Sequence, residues 1–158
     1  MPTKLNITEI NGILGKLGSA PPISLTLSLI SSNCDSIILY GLESLRLTKT
    51  DNNVLSYPYN SVYMKLFQSF NNTIITLCQF HCGQLPFEQL LHIRTLNFYA
   101  RINTDSISPA ILLYRWFGQD DFMAIASKYD ILQNDPPDKY REKICKYFAE
   151  LAGTLRNS

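Results

Sequence analysis

Cys78, His81 and Cys82 form the densest group of metal-ligating side chains in the sequence. Offsets of three and four place them near one another on one helical face, and two thiols with an imidazole are donors that zinc accepts. A tetrahedral site still needs a fourth ligand, which Cys34 or Cys145 would have to supply, and the short Cys-x-x-Cys knuckles of structural zinc sites are missing. Cysteine is also a routine core filler. The sequence therefore argues for no cofactor, with these three residues as the positions a metal would use. Asp120-Asp121 invites comparison with catalytic carboxylates, but two-metal chemistry needs carboxylates converging from separate elements on ions about 4 Å apart. Adjacent aspartates at a helix start serve as cap and dipole partners instead. His81 and His92 have serines available, yet there is no Gly-x-Ser-x-Gly elbow and no phosphate-binding glycine pattern. No catalytic residue is assigned, and the chain is expected not to be an enzyme.

Contact chemistry is the remaining option. From Phe87 to Ile102, a helical wheel gathers Phe87, Leu90, Leu91, Phe98 and Ile102 in one sector, with Arg94 and Arg101 in the same sector. The two arginines either snorkel at the edge of a core or pair with Glu43 or Glu88, or they face a partner or a phosphate. Tyrosines and the one tryptophan could stack on bases, but they are equally favoured as anchors in protein interfaces. The residues expected to contact protein or nucleic acid are Lys49, Lys65, Arg94, Arg101, Arg115, Tyr63 and Trp116.

The elements that would position these groups are helices. Ile10, Ile13, Leu14 and Leu17 have helical spacing up to Gly18, and a second helix runs from Pro22 to Cys34. From Asp35 to Leu47 the pattern repeats, although the Ile-Ile-Leu-Tyr string could equally be a short strand. Thr48 to Asp51 suits an N-cap, and Pro58 must bend or interrupt the helix beyond it. Val62, Tyr63, Leu66, Phe67 and Phe70 make a helical stripe; a polar break separates it from the run Ile74–Cys82, which Gly83 stops. Pro86 opens a helix reaching Ile102. After a turn-rich stretch come Ala110–Phe117, a short helix over Asp120–Tyr129, and a final helix opened by Pro136-Pro137. That last helix carries the cleanest amphipathic stripe: Tyr140, Ile144, Tyr147, Phe148, Leu151 and Leu155.

Composition narrows the setting. A chain of 158 residues with 46% hydrophobic content can bury a continuous core. A net charge of +1 provides no global field for holding a phosphate backbone. Charged residues make up 17%, low for a surface facing only water, which suggests that a partner covers part of it. No apolar run is long enough to span a membrane. The start of the chain has no secretory or transit character. The four cysteines are therefore expected as thiols in an intracellular protein, in the cytoplasm or the nucleus.

Several strings together resemble one family. Leu14-Gly15-Lys16-Leu17-Gly18, Cys34, the Ile-Leu-Tyr-Gly-Leu-Glu string at Ile38 to Glu43, and Leu45 to Thr48 come in the order seen downstream of the palm in non-long-terminal-repeat retrotransposon reverse transcriptases. The likeness continues through Met64-Lys65-Leu66-Phe67, Ile74 to Cys78, and Leu91 to Phe98 with its Ile93-Arg94-Thr95. Leu112 to Phe117 and Phe122 to Ile131, ending Lys128-Tyr129-Asp130, are similar to the distal tail of those elements. The resemblance spans Asn11 to Tyr147. It implies the thumb and the region C-terminal to it, a helical module that grips a primer-template duplex, without the fingers and palm that carry the catalytic carboxylates. One departure matters: where such elements place asparagine then arginine, this chain has Asn60 and then Ser61, which removes a cation from a phosphate-facing helix.

The expected fold is an all-α, compact, thumb-like helical bundle with a small helical unit at the C-terminus: a thumb-like region over 8–102 and an extension over 107–156 packed on it. The expected role is a non-catalytic structural or adaptor protein within a larger assembly. The alternative is a module binding duplex or single-stranded RNA or DNA through scattered basic and aromatic residues.

Overall fold

The computed structural model describes residues 12, 15, 22–104, 118–132 and 134–156, the side chains of Asn33, Cys34, Asn103 and Thr104 excepted. Among them every regular element is helical. Of the helix expected near Thr8–Leu17, Gly12 and Gly15 are described and both are helical; the rest of it, and the segment Ala110–Phe117, lie outside the described residues. The chain forms two compact units, Met1–Ile75 and Thr76–Ser158. The second unit includes the helix beginning at Phe87, which packs with the two C-terminal helices.

In the first unit, α1 (Ile23–Leu29) passes through a π-helical turn (Ile30–Cys34) into α2 (Asp35–Ile38). Serine and threonine side chains bond back onto this backbone: Thr26 Oγ1 to the Pro22 carbonyl at 3.3 Å, Ser28 Oγ to Ser24 at 3.0 Å and Ser32 Oγ to Leu29 at 3.3 Å. Such back-bonding competes with regular helical geometry, and the widened turn sits where it is dense. The Ile-Ile-Leu-Tyr string is helix and turn, with no strand. Ile38 and Leu39 are adjacent and both buried, whereas Ile37 and Tyr40 on either side are exposed, a pattern that strand alternation cannot produce. Gly41, at φ 74°, ends this segment before a 3-10 turn at Leu42–Ser44.

Helix α3 (Lys49–Phe67) opens with a capping box. The Asp51 amide donates to Thr48 Oγ1 at 3.2 Å, and the Thr48 amide donates to the Asp51 carboxylate at 3.0 Å. The Thr48 hydroxyl, 2.6 Å from Asp51 Oδ2, and then the Thr48 amide hold the Asp51 carboxyl below the ordinary carboxylate range. Pro58 lies inside the helix and does not interrupt it. Its ring removes one N–H donor, while its carbonyl accepts the Ser61 hydroxyl at 2.7 Å. The buried Tyr59 and Tyr63 hydroxyls, one turn apart, meet at 3.0 Å. Phe70 does not extend the apolar stripe, because Gln68 turns left-handed at φ 51° and ends the helix first.

Helix α4 (Asn72–His81) contains the division between the units. In the second unit, α5 (Phe87–Thr104) packs on α6 (Gln119–Lys128) and α7 (Pro137–Arg156). Their shared core joins Leu96, Phe122, Ala126, Tyr129, Ile131, Tyr140 and Ile144. Helix α7 buries Tyr140, Ile144, Phe148 and Ala152, while Leu151 is exposed. Ala152 is thus a core position that the apolar stripe misses. On α5 the core face is Ile93, Leu96, Tyr99 and Ala100, opposite the Phe87 sector chosen from the sequence. Phe87 and Leu91 are buried as well, so α5 is covered on two sides.

Candidate functional site

The best-organised polar group in the structure lies in the second unit, where α5, α6 and the turn after α6 converge. His92 on α5 sits one helical turn after Glu88. Burial is the main reason its imidazole titrates at about 4, with Lys128 adding to the depression and Glu88 opposing it. Tyr129 ends α6, and its hydroxyl lies 2.7 Å from His92 Nδ1. Burial, then Glu88 and Tyr147, push that phenol well above its ordinary value. With both groups neutral, the tautomer of His92 sets the direction of the bond: Tyr129 O–H donates to a bare Nδ1, or Nδ1–H donates to the phenol oxygen. Glu88 Oε1, 4.0 Å from Nε2, is instead paired with Lys128 Nζ at 2.7 Å. The Lys128 ammonium also stands 5.5 Å from the centre of the Tyr129 ring.

A high phenol pKa and a low imidazole pKa both keep the groups uncharged near neutrality, the reverse of an activated nucleophile or base. This arrangement joins α5 to α6. A second fastening lies alongside. Lys143 on α7 donates to the Asp130 carbonyl and to Asp135 Oδ2, the latter at 2.6 Å. The Asp135 carboxyl, held below its usual range chiefly by Lys143, also accepts the Leu132 amide at 2.9 Å. A cavity of about 330 Å³ opens beside these contacts, lined in part by Lys128, Lys143, Lys146, Asp130, Glu150 and Tyr147. Its three lysines do not make a phosphate cradle. Lys128 and Lys143 are paired with acids, and Asp130 and Glu150 offset Lys146.

Of the metal candidates, Cys78 and Cys82 are half-buried free thiols, and His81 is exposed. Burial, with a smaller effect of Cys78, pushes the Cys82 thiol up. Among the described residues no group of three or more His, Cys, Asp or Glu could hold a metal ion, so the zinc arrangement requiring Cys145 is not assembled. Asp120 and Asp121 occupy the first turn of α6, as expected of dipole partners.

The expected contact residues are dispersed. Lys49 and Lys65 are exposed on α3, about 24 Å apart at the helical rise of roughly 1.5 Å per residue. Tyr63 is not a contact residue: its side chain is fully covered, with its hydroxyl on Tyr59 and its ring stacked 6.4 Å from Phe67. Arg94 is half-buried and Arg101 exposed, on the same side of α5. Neither pairs with Glu88, which Lys128 occupies. Arg115 and Trp116 lie outside the described residues.

No family model, curated protein or solved structure matches this chain.

The His92–Tyr129 contact is not foreseen by the sequence pattern. The four-residue spacing of Glu88 and His92 on one helix is visible there, but Tyr129 is 37 residues further along the chain, and nothing local indicates that pairing.

Proposed function

We propose that the chain is a non-catalytic helical adaptor that binds other proteins within an intracellular assembly. The supporting observation is the distribution of exposed apolar groups. Nine of the thirteen large hydrophobic side chains exposed among the described residues fall between Ile23 and Ile74, including Tyr40 at 84% and Phe70 at 88% exposure. Rings that open to water gain about 25 cal/mol for each Å² a partner covers, and aromatic residues are the usual interface anchors. The likeness of the motif strings to a reverse transcriptase tail supports a thumb-like origin for this helical body.

A second reading, nucleic-acid binding, is favoured by Arg94 and Arg101, which share one side of α5 and make no ion pair among the described residues. Native purification with crosslinking separates the two. Adaptor binding predicts a defined protein complex that survives raised salt and is lost in a folded Tyr40→Ser/Phe70→Ser variant. Nucleic-acid binding predicts co-purifying RNA or DNA whose affinity falls steeply with salt and depends on Arg94 and Arg101. A lone monomer with neither partner refutes both.

A further inference from the structure

Cys78 lies on α4 and Cys82 immediately succeeds its last residue. The Cys82 amide donates to the Cys78 carbonyl at 3.0 Å, so helical geometry persists to Cys82 and the two side chains are successive neighbours on one face. Side chains so spaced have Cβ atoms about 5–6 Å apart. A disulfide needs about 3.5–4.5 Å, so this backbone resists oxidative closure, and both thiols are free. A metal ion between two sulfurs needs a longer span, roughly twice a bond of about 2.3 Å, which the helix supplies. With no third ligand beside them among the described residues, ions that demand four donors are poorly served. Soft thiolates select soft ions.

We propose that Cys78 and Cys82 form a two-thiolate site for a soft, low-coordinate metal ion of the copper(I) type. Binding joins two thiols to one ion and releases two protons, with no change of oxidation state. Half-burial of both residues shields the sulfurs on one side. The site stands independently of whether the chain binds other proteins.

The test is anaerobic titration of the reduced full-length chain with copper(I) against a chromogenic copper(I) chelator. One ion per chain is expected, with affinity unchanged in Cys34→Ser/Cys145→Ser. Cys78→Ser or Cys82→Ser, checked for folding by circular dichroism, should weaken binding by at least about tenfold, since even outer-shell changes cost that much at metal sites. On the unaltered chain, copper(I) should protect Cys78 and Cys82 together from iodoacetamide while leaving Cys145 reactivity unchanged. Copper that tracks Cys34 or Cys145, zinc(II) that binds as tightly, or the absence of joint protection overturns the proposal.

Discussion

Acidification should destabilise the second unit through one residue, His92. The unfolded chain takes up the imidazole proton at the ordinary 6.5, whereas the folded chain keeps the ring neutral down to about 4. Between those values the unfolded state binds more protons, so stability falls as pH falls through the window and is fully present above it. A gap of about 2.5 units at roughly 1.36 kcal/mol each gives about 3 kcal/mol. The His92 side chain is only 15% exposed, so solvent screening does little to reduce that figure. Asp51 and Asp135, both depressed below 3.8, begin to lose their contributions only toward the bottom of the window and lose most of them at lower pH. Urea titrations monitored by far-ultraviolet circular dichroism at intervals from neutral pH to about pH 4 provide the measurement. At an m-value of roughly 1–3 kcal/mol per molar urea, the midpoint should fall by about 1–3 M across the window. His92→Gln, which can still hydrogen-bond to Tyr129, should remove most of that slope. A flat curve in the unaltered protein, or an unchanged slope in the variant, would refute the reasoning.

Thr48→Ala should cost about 1 kcal/mol and speed amide exchange in the first turn of α3, because it removes the acceptor for the Asp51 amide. Ile144→Ala, at a fully covered position in the shared core, should lower stability by about 2–5 kcal/mol in denaturant titration. Gly41→Ala meets no atom within 4 Å, so its cost should be the left-handed backbone alone, about 1–2 kcal/mol. Lys143→Met should change global stability by less than about 1 kcal/mol, yet accelerate exchange of the Leu132 amide once Asp135 loses its partner.

Helical character, the Thr48 cap, the stop at Gly83 and the α7 stripe were readable because each rests on residues within one or two turns of each other. Core assignment on α5 was not. A wheel finds the largest apolar side chains, and Phe87 and Leu91 are indeed buried, but the face packed on α6 and α7 is built from Leu96, Ile93, Ala100 and a tyrosine. The same limit hid the His92–Tyr129 contact and Tyr63. Aromatic type alone cannot distinguish a surface anchor from a ring whose hydroxyl is satisfied inside. Cys78 and Cys82 were found by spacing, while their separation from Cys145 is a tertiary fact.

Helix α5 has buried residues on opposite sides, Phe87 and Leu91 on one and Leu96 on the other. An ordinary amphipathic helix drifts freely on its wet side; α5 has little such side. Sequence divergence in this protein should therefore be slowest along α5 and fastest along the exposed flank of α7. In a mutational library, the tolerated substitutions along α5 should be confined to narrow strips such as those holding Arg94 and Arg101.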